Sequence, residues 1–242
     1  MNNPSDREPQ AKGVRLNKWL AEHGVCSRRE ADGYIEAQRV RVNGQAVDLG
    51  YRVQPDDVVE VDQIAVANAP RAVYIAFHKP VGIECTTDTR VHHNIVDFIA
   101  HPERIFPIGR LDKDSEGLIL LTNDGDIVNP LLRVENSHEK EYEVTIDRPV
   151  SDEFIAQMSR GVEILGRQTL PCEIWRTGKN QFHIVLKQGL NRQIRRMCDA
   201  LGVTVRRLIR VRFVNIRLAD IPTGRWRNLT SAELKGLLPD HF

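Results

Sequence analysis

The sequence predicts an α+β protein in two parts. A small unit of helices and hairpins comes first, followed by a larger domain whose mixed, mostly antiparallel sheet is flanked by helices. Three observations predict it. The 242 residues suffice for a small domain plus a larger one. A stretch without pattern, QIAVANAPR at 63–71, divides a region of short elements from one of longer strands alternating with helices. Beyond that divide strands dominate and few hairpin signals are tight, which favours a mixed sheet with helices packed on it.

The elements follow in order. Residues 1–12 are polar, lack the apolar core of a signal peptide, and are expected to form a disordered tail. The first unit is expected over 13–62. Leu16, Trp19 and Leu20 recur at helical spacing, and Gly24 follows as a stop. Ser27 and Glu30 have the spacing of a capping box for a helix running through Ala31, Tyr34 and Ile35. Asn43-Gly44 lies between two short strand-like runs and marks a hairpin. Asp56-Asp57 makes a turn before a closing strand at 58–61, and 63–72 is the expected linker.

The second domain is expected over 73–242. VYIAFHKP is a strand stopped at Lys79-Pro80, and GLILLTND is a buried strand ended by Asn123-Asp124-Gly125. Alternation places Tyr142, Val144 and Ile146 on one face of KEYEVTI, and Phe182, Ile184 and Leu186 on one face of QFHIVLKQG. Ser151-Asp152-Glu153 opens a helix with acids in its first turn. Asn191 is the expected cap of a helix with the apolar stripe Ile194, Met197, Cys198 and Leu201, stopped by Gly202. Thr230 and Glu233 form a second capping box for a short last helix.

Composition narrows the function classes. Hydrophobic residues make up 41% and charged residues 28%, an ordinary globular balance, and no apolar run approaches the roughly 20 residues that span a bilayer. No membrane contact is expected. Cys26, Cys85, Cys172 and Cys198 are far apart, so reduced structural thiols in a cytoplasmic protein fit better than disulfides or a metal site. Asp114, Glu116, Asp124 and Asp126 lack the ligand spacing of a calcium loop. Net charge is only +1, but arginines crowd 192–217, and a second basic set lies at Lys12, Arg15, Lys18, Arg28, Arg29, Arg39 and Arg41. Any one of these could be a solvated face. Two clusters together favour RNA, whose phosphates suit the planar guanidinium fork.

Two resemblances give these patterns chemistry. RLNKWLAEHGVCSRREADGYIEAQRVRVNGQ resembles an S4 RNA-binding domain, which implies RNA contacts at Arg15, Lys18, Arg28, Arg29 and Arg41. Arg28 and Arg29 would stand beside helix N-terminal amides, where phosphate binds readily. GRLDKDSEGLILLTNDG resembles the catalytic motif of pseudouridine synthases. With HEKEYEV and GLNRQIRRM it resembles the RsuA branch, and KPVGI, HNIVDFI and GRWRNLT bring it nearest the RluF type, which acts on the large ribosomal subunit.

The resemblance implies that Asp112 is the catalytic aspartate. Its carboxylate can attack sugar or base, or take the C2′ proton, while uridine loses its N1–C1′ bond and rejoins through C5. It also implies that Arg195 pairs with Asp112 and keeps it ionised in a partly dry pocket, and that Tyr142 stacks on the uracil and relays a proton. Arg110, two residues before Asp112, would fill the space left by a flipped nucleotide or grip its phosphate. Lys79 and Arg192 are candidates for phosphate or base contacts, or plain surface charges. No cofactor is expected, because the isomerisation is redox-neutral. The implied partner is structured RNA, a 23S rRNA stem-loop first and a tRNA or 16S rRNA second, handled by a monomer. A non-catalytic S4-type binder would not need Asp112, Tyr142 and Arg195 together, and a nucleosidase would need a second carboxylate or an activated water.

Overall fold

The computed structural model describes residues 13–133 and 138–242. The expected tail at 1–12, with Lys12 of the early basic set, lies outside the described residues. The chain divides into two compact units, Met1–Arg71 and Ala72–Phe242.

The first unit contains β1 (Val14–Arg15), α1 (Leu16–Glu22), α2 (Arg28–Glu36), β2 (Val40–Val42), β3 (Gln45–Ala46), β4 (Arg52–Val53), β5 (Val59–Val61) and β6 (Ile64–Ala65). Its core joins Leu16 and Leu20 of α1 to Ala31 and Ile35 of α2 and Val40, Val42 and Val59 of the sheet. The capping box is complete: the Glu30 amide donates to Ser27 Oγ at 3.2 Å and the Ser27 amide to Glu30 Oε2 at 2.7 Å. Asn43 and Gly44 take the two positive-φ positions of the β2–β3 hairpin, at +52° and +78°.

The expected linker begins later than 63. Asp62 and Gln63 both have positive φ, so the chain turns back and Ile64 and Ala65 pair with Val61 and Glu60. No glycine announces that turn. The Asp62 carboxylate is held by the Arg39 guanidinium instead.

The second unit contains β7 (Tyr74–Lys79), α3 (Ile95–Ile99), β8 (Phe106–Ile108), β9 (Glu116–Thr122), α4 (Val128–Leu132), β10 (Lys140–Ile146), α5 (Asp152–Ser159), β11 (Glu163–Ile164), β12 (Arg167–Gln168), β13 (Glu173–Gly178), β14 (Gln181–Leu186), α6 (Gln193–Ala200), β15 (Val205–Phe213), β16 (Ile216–Arg217), β17 (Trp226–Asn228) and α7 (Ser231–Leu237). The main sheet has nine strands, seven of them in the order β13-β14-β10-β15-β9-β7-β17, with β16 on β15 and β8 on β9. It is mixed and mostly antiparallel, as expected. Among the described strands the β9–β15 pair alone is parallel.

Packing explains the two kinds of strand pattern. β7 and β9 are covered on both faces: Ala76, Leu118 and Leu120 enter one core, and Ile75, Phe77, Ile119 and Leu121 enter another. That is why GLILLT reads as a continuous apolar run. In β10 and β14, Val144, Ile146, Phe182, Ile184 and Leu186 join a third core with α5 and α6, while the alternate positions other than Val185 stay polar. Ser151 and Thr230 cap α5 and α7 as the sequence indicates.

The parallel junction needs glycine at 117. Gly117 pairs with Arg210 and has φ of +108°. A Cβ there would lie 2.4 Å from the Arg210 carbonyl oxygen and 2.6 Å from its nitrogen. Backbone on both sides leaves no side chain to give way. Gly117→Ala is expected to lower stability by roughly 2–4 kcal/mol, from strain plus a forced strand separation, in denaturant unfolding. A loss below about 0.5 kcal/mol, the range of ordinary surface changes, would show that the two strands separate freely.

Candidate active site

A cavity of about 360 Å³ opens in the second unit, where the loop 109–115 faces β10, β15 and the turn before α6. Arg110, Asp112, Tyr142, Arg192 and Arg210 line it.

The loop is fixed from below. Leu111 is 7% exposed and packs into the core behind β7 and β9. Its amide donates to Cys85 Sγ at 3.4 Å. The Ser115 amide donates to the Asp112 carbonyl at 3.0 Å, closing a turn, and the Gly82 amide donates to the Lys113 carbonyl at 2.7 Å. Lys113 reaches the Glu84 carboxylate at 2.9 Å. With Leu111 turned into the core, Arg110 is exposed and Asp112, whose side chain is 32% exposed, stands at the cavity.

Lys79 does not contact solvent. It is 0% exposed, and its Nζ donates to the carbonyls of Pro80 and Ile83, both at 2.8 Å. The expected RNA contact is corrected: Lys79 is a strut that shapes the 80–83 turn, which in turn holds Lys113. Burial pushes its amine below the ordinary lysine range, opposed by the nearby carboxylates of Asp114, Asp112 and Glu116.

The expected Asp112–Arg195 pair is also corrected. Arg195 Nη2 donates to the Asp114 carbonyl at 2.9 Å and to Ser115 Oγ at 3.3 Å. Its buried Nε lies 3.4 Å from Asp114 Oδ2 without hydrogen-bond alignment. Arg192 is the guanidinium nearest Asp112, with Nη1 to Oδ2 at 3.8 Å, but it is bidentate to Asp114 at 3.0 Å on each branch. Asp114, which the sequence offered only as a rejected calcium ligand, therefore holds both arginines. The Arg192 hydrogen bonds are the main reason its carboxyl lies below the usual range, with the Arg195 charge adding to them.

The turn before α6 differs from the expectation as well. Asn191 does not cap the helix; the N-cap position falls on Arg192 at φ +50°, with no side-chain cap. The Asn191 Oδ1 and carbonyl accept from Arg196 instead, and Gln193 Oε1 accepts from the Leu190 amide. The left-handed turn is what aims Arg192 at the loop.

Tyr142 is half-buried on β10, packed between two cores at the cavity. Lys140 and Arg210 complete the cavity wall. Arg210 is 4% exposed, and its Nε donates to the Leu118 carbonyl at 2.6 Å. Burial first, and the Arg210 charge second, push the Lys140 amine down to about 8. Lys140 was legible, since it shares a strand face with Tyr142 two residues on. Arg210 was not, because only the register of β10 with β15 sets it opposite Tyr142.

In the first unit Arg15, Arg28, Arg29 and Arg41 are exposed, and Lys18 pairs with Glu22 at 3.2 Å. The capping box already occupies the Ser27 and Glu30 amides, so a phosphate there would meet the two guanidiniums first. Elsewhere, Asp124 accepts from the Tyr74 hydroxyl at 2.8 Å, an interaction within the fold.

Residues 73–200 match the model of the RNA pseudouridylate synthase family, and residues 14–59 match that of the S4 domain. A dual-specificity RNA pseudouridine synthase RluF of Escherichia coli K12 is 54% identical over 91% of this chain and 77% of its own length. The ribosomal large subunit pseudouridine synthase B of Bacillus subtilis is 36% identical over 94% of this chain and 97% of its own. A crystal structure of a pseudouridylate synthase superposes with a TM-score of 0.69 at 27% identity, covering 93% of this chain and all of that one. Among the described residues, no helix is long and apolar enough to cross a membrane.

Asp114 gives the site a direct test. Asp114→Asn removes the charge that holds Arg192, which becomes available to a phosphate. Binding of a structured RNA should tighten, and the slope of log affinity against log salt should steepen by about 0.7–0.9 for that one added contact. An unchanged slope would show that Arg192 stays in place without the charge.

Proposed function

Because the chain belongs to the RNA pseudouridylate synthase family, we propose that its cavity isomerises one specific uridine of 23S ribosomal RNA, in a stem-loop, to pseudouridine. That it is an RNA pseudouridine synthase follows from the family. The choice of RNA is the proposal, and the name of the Bacillus subtilis relative, a ribosomal large subunit enzyme, supports it. We infer that it acts in the cytoplasm, as a monomer and without a cofactor.

One observation carries the assignment of the site: Asp112 stands at the cavity on an anchored loop, with Tyr142 lining the same cavity and Arg192 3.8 Å from its carboxylate. The target nucleotide leaves its stack, at a cost of a few kcal/mol, because its glycosidic bond is not reachable inside a helix. Arg110 is exposed beside Asp112, placed to fill the gap or grip the phosphate. Asp112 then acts on the sugar, on the base or on the C2′ proton while the N1–C1′ bond breaks. Tyr142 offers a ring to stack on uracil and a hydroxyl to relay the C5 proton.

Arg192 and Arg195 bear on this step through Asp114. An arriving phosphate competes with Asp114 for Arg192, while Arg195, bound to the Asp114 carbonyl and Ser115, keeps the loop in register. The exposed arginines of the S4 unit, Arg15, Arg28, Arg29 and Arg41, with Lys18 once freed from Glu22, supply sequence-independent hold on folded RNA.

The name of the Escherichia coli relative, dual-specificity, gives a second substrate a reason to be sought, and a tRNA is the second reading. Mapping pseudouridines in total RNA from cells with and without the gene, by carbodiimide modification and reverse-transcription stops, tests both. Loss of one 23S site is the expected result, with loss of a tRNA site beside it if specificity is dual. Loss only at a 16S or tRNA position would overturn the 23S assignment.

A further inference from the structure

Among the described residues, two cations in the cavity wall have no counter-ion within 4.0 Å. Lys140 and Arg210 project from neighbouring strands on the face that carries Tyr142, since Tyr142 pairs with Arg210 and Lys140 lies two residues before Tyr142. Both stand against one ring: Lys140 Nζ is 5.5 Å from the centre of Phe213 and Arg210 Cζ is 5.8 Å from it. Lys140 Nζ donates to the His138 carbonyl at 3.0 Å and Arg210 Nε to the Leu118 carbonyl. Among the described residues, neither has a carboxylate within 4.0 Å, and the terminal nitrogens of Arg210 have no hydrogen-bond partner.

The nearby acids are committed elsewhere. Just before β10, Glu139 serves Arg212 and Lys187, and on β10 Glu141 serves Arg212 and His183. From the other elements around the cavity Asp112, Arg110, Arg133, Lys187 and Arg192 face it, and Asp112 has Arg192 as its nearest cation. Two like charges without compensation, set beside an aromatic ring, are costly in a free protein and suited to an anion that forms in the site.

We propose that Lys140 and Arg210 form an anion subsite that receives the negative charge of the detached uracil. The proposal rests on the uridine-isomerase assignment above. When N1–C1′ breaks, its electron pair goes to the uracil ring and spreads over N1 and the carbonyl oxygens. The ribose is left to bond with the Asp112 carboxylate or to give up its C2′ proton. The ring turns and C5 returns the pair to C1′ as a new carbon–carbon bond, as the C1′–O bond to Asp112 breaks or C2′ regains its proton; the C5 proton leaves and N1 gains one. Charge thus appears on the base and disappears within one turnover, and preorganised cations facing it act where such groups contribute most. Neutral uridine enters without displacing a counter-ion.

Single-turnover conversion of a uridine-containing RNA by the full chain tests this, using Lys140→Met and Lys140→Arg. Lys140→Met should lose roughly 100-fold or more in rate, the scale of removing one oxyanion donor, with RNA affinity and its salt slope unchanged. In the native chain the ammonium is the working form, so the rate should fall as pH rises through about 8. Lys140→Arg, whose charge does not titrate there, should hold its rate past that point, which decides the matter even if Lys140→Met folds poorly. Three results would overturn the subsite: a Lys140→Met rate within about threefold of native, the same high-pH fall in Lys140→Arg, or a loss in affinity and salt slope in place of rate, which marks a phosphate contact. Failure of the native chain to convert any uridine would instead remove the assignment on which the subsite rests.

Discussion

The active cavity depends on one backbone contact, the parallel pairing of Gly117 with Arg210. On one side of it β9 and β7 are buried on both faces. On the other, β10 and β14 have one face in the core with α5 and α6, while β15 itself sends Leu208 into that core and Ile209 and Phe213 into the one it shares with β9. The loop bearing Asp112 ends two residues before Gly117, and Arg210 on the opposing strand lies level with Tyr142. At this point loop and wall are set against each other by main chain. No side-chain contact could hold that spacing as tightly, because a single methyl group at 117 would already collide with the backbone.

Around this frame the charges are arranged by competition. Asp112 and Asp114 share access to Arg192, and Asp114 holds it with two short hydrogen bonds while Asp112 is at 3.8 Å. Asp112 therefore has a cation 3.8 Å away without a hydrogen bond to it that would tie up its lone pairs. Lys79 works from beneath. Its buried ammonium binds two carbonyls of the 80–83 turn, and its positive charge lies under a loop carrying two carboxylates. Positive charge thus fixes the loop, while two further cations in the cavity wall have no carboxylate partner among the described residues.

Much of the fold was legible because local signals agreed with tertiary structure. The capping boxes at Ser27 and Thr230, the Asn-Gly hairpin, the alternation in β10 and β14 and the unbroken apolar run of β9 all correspond to observed elements. The extra strand β6 was hidden because its turn uses Asp62 and Gln63 in place of glycine. In the site, the family resemblance, with Arg110 and Arg192 read beside its motifs, pointed to four residues that line one cavity, Arg110, Asp112, Tyr142 and Arg192. It mispaired Arg195, since a ladder of sequence positions cannot distinguish two aspartates two residues apart. It also mistook Lys79 for a surface cation, because nothing in Lys79-Pro80 tells that the chain folds back over it. Arg210 needed strand register, which no local pattern encodes.

The central claim is that Asp112 performs chemistry and does not merely attract RNA. The most direct test measures, on one RNA that the native chain modifies, both affinity and single-turnover conversion by Asp112→Ala. Conversion should vanish while affinity stays within about threefold, since the carboxylate acts on the reacting bond and makes no phosphate contact. Conversion that persists, or an affinity that collapses along with it, would contradict the assignment of Asp112 as the catalytic group.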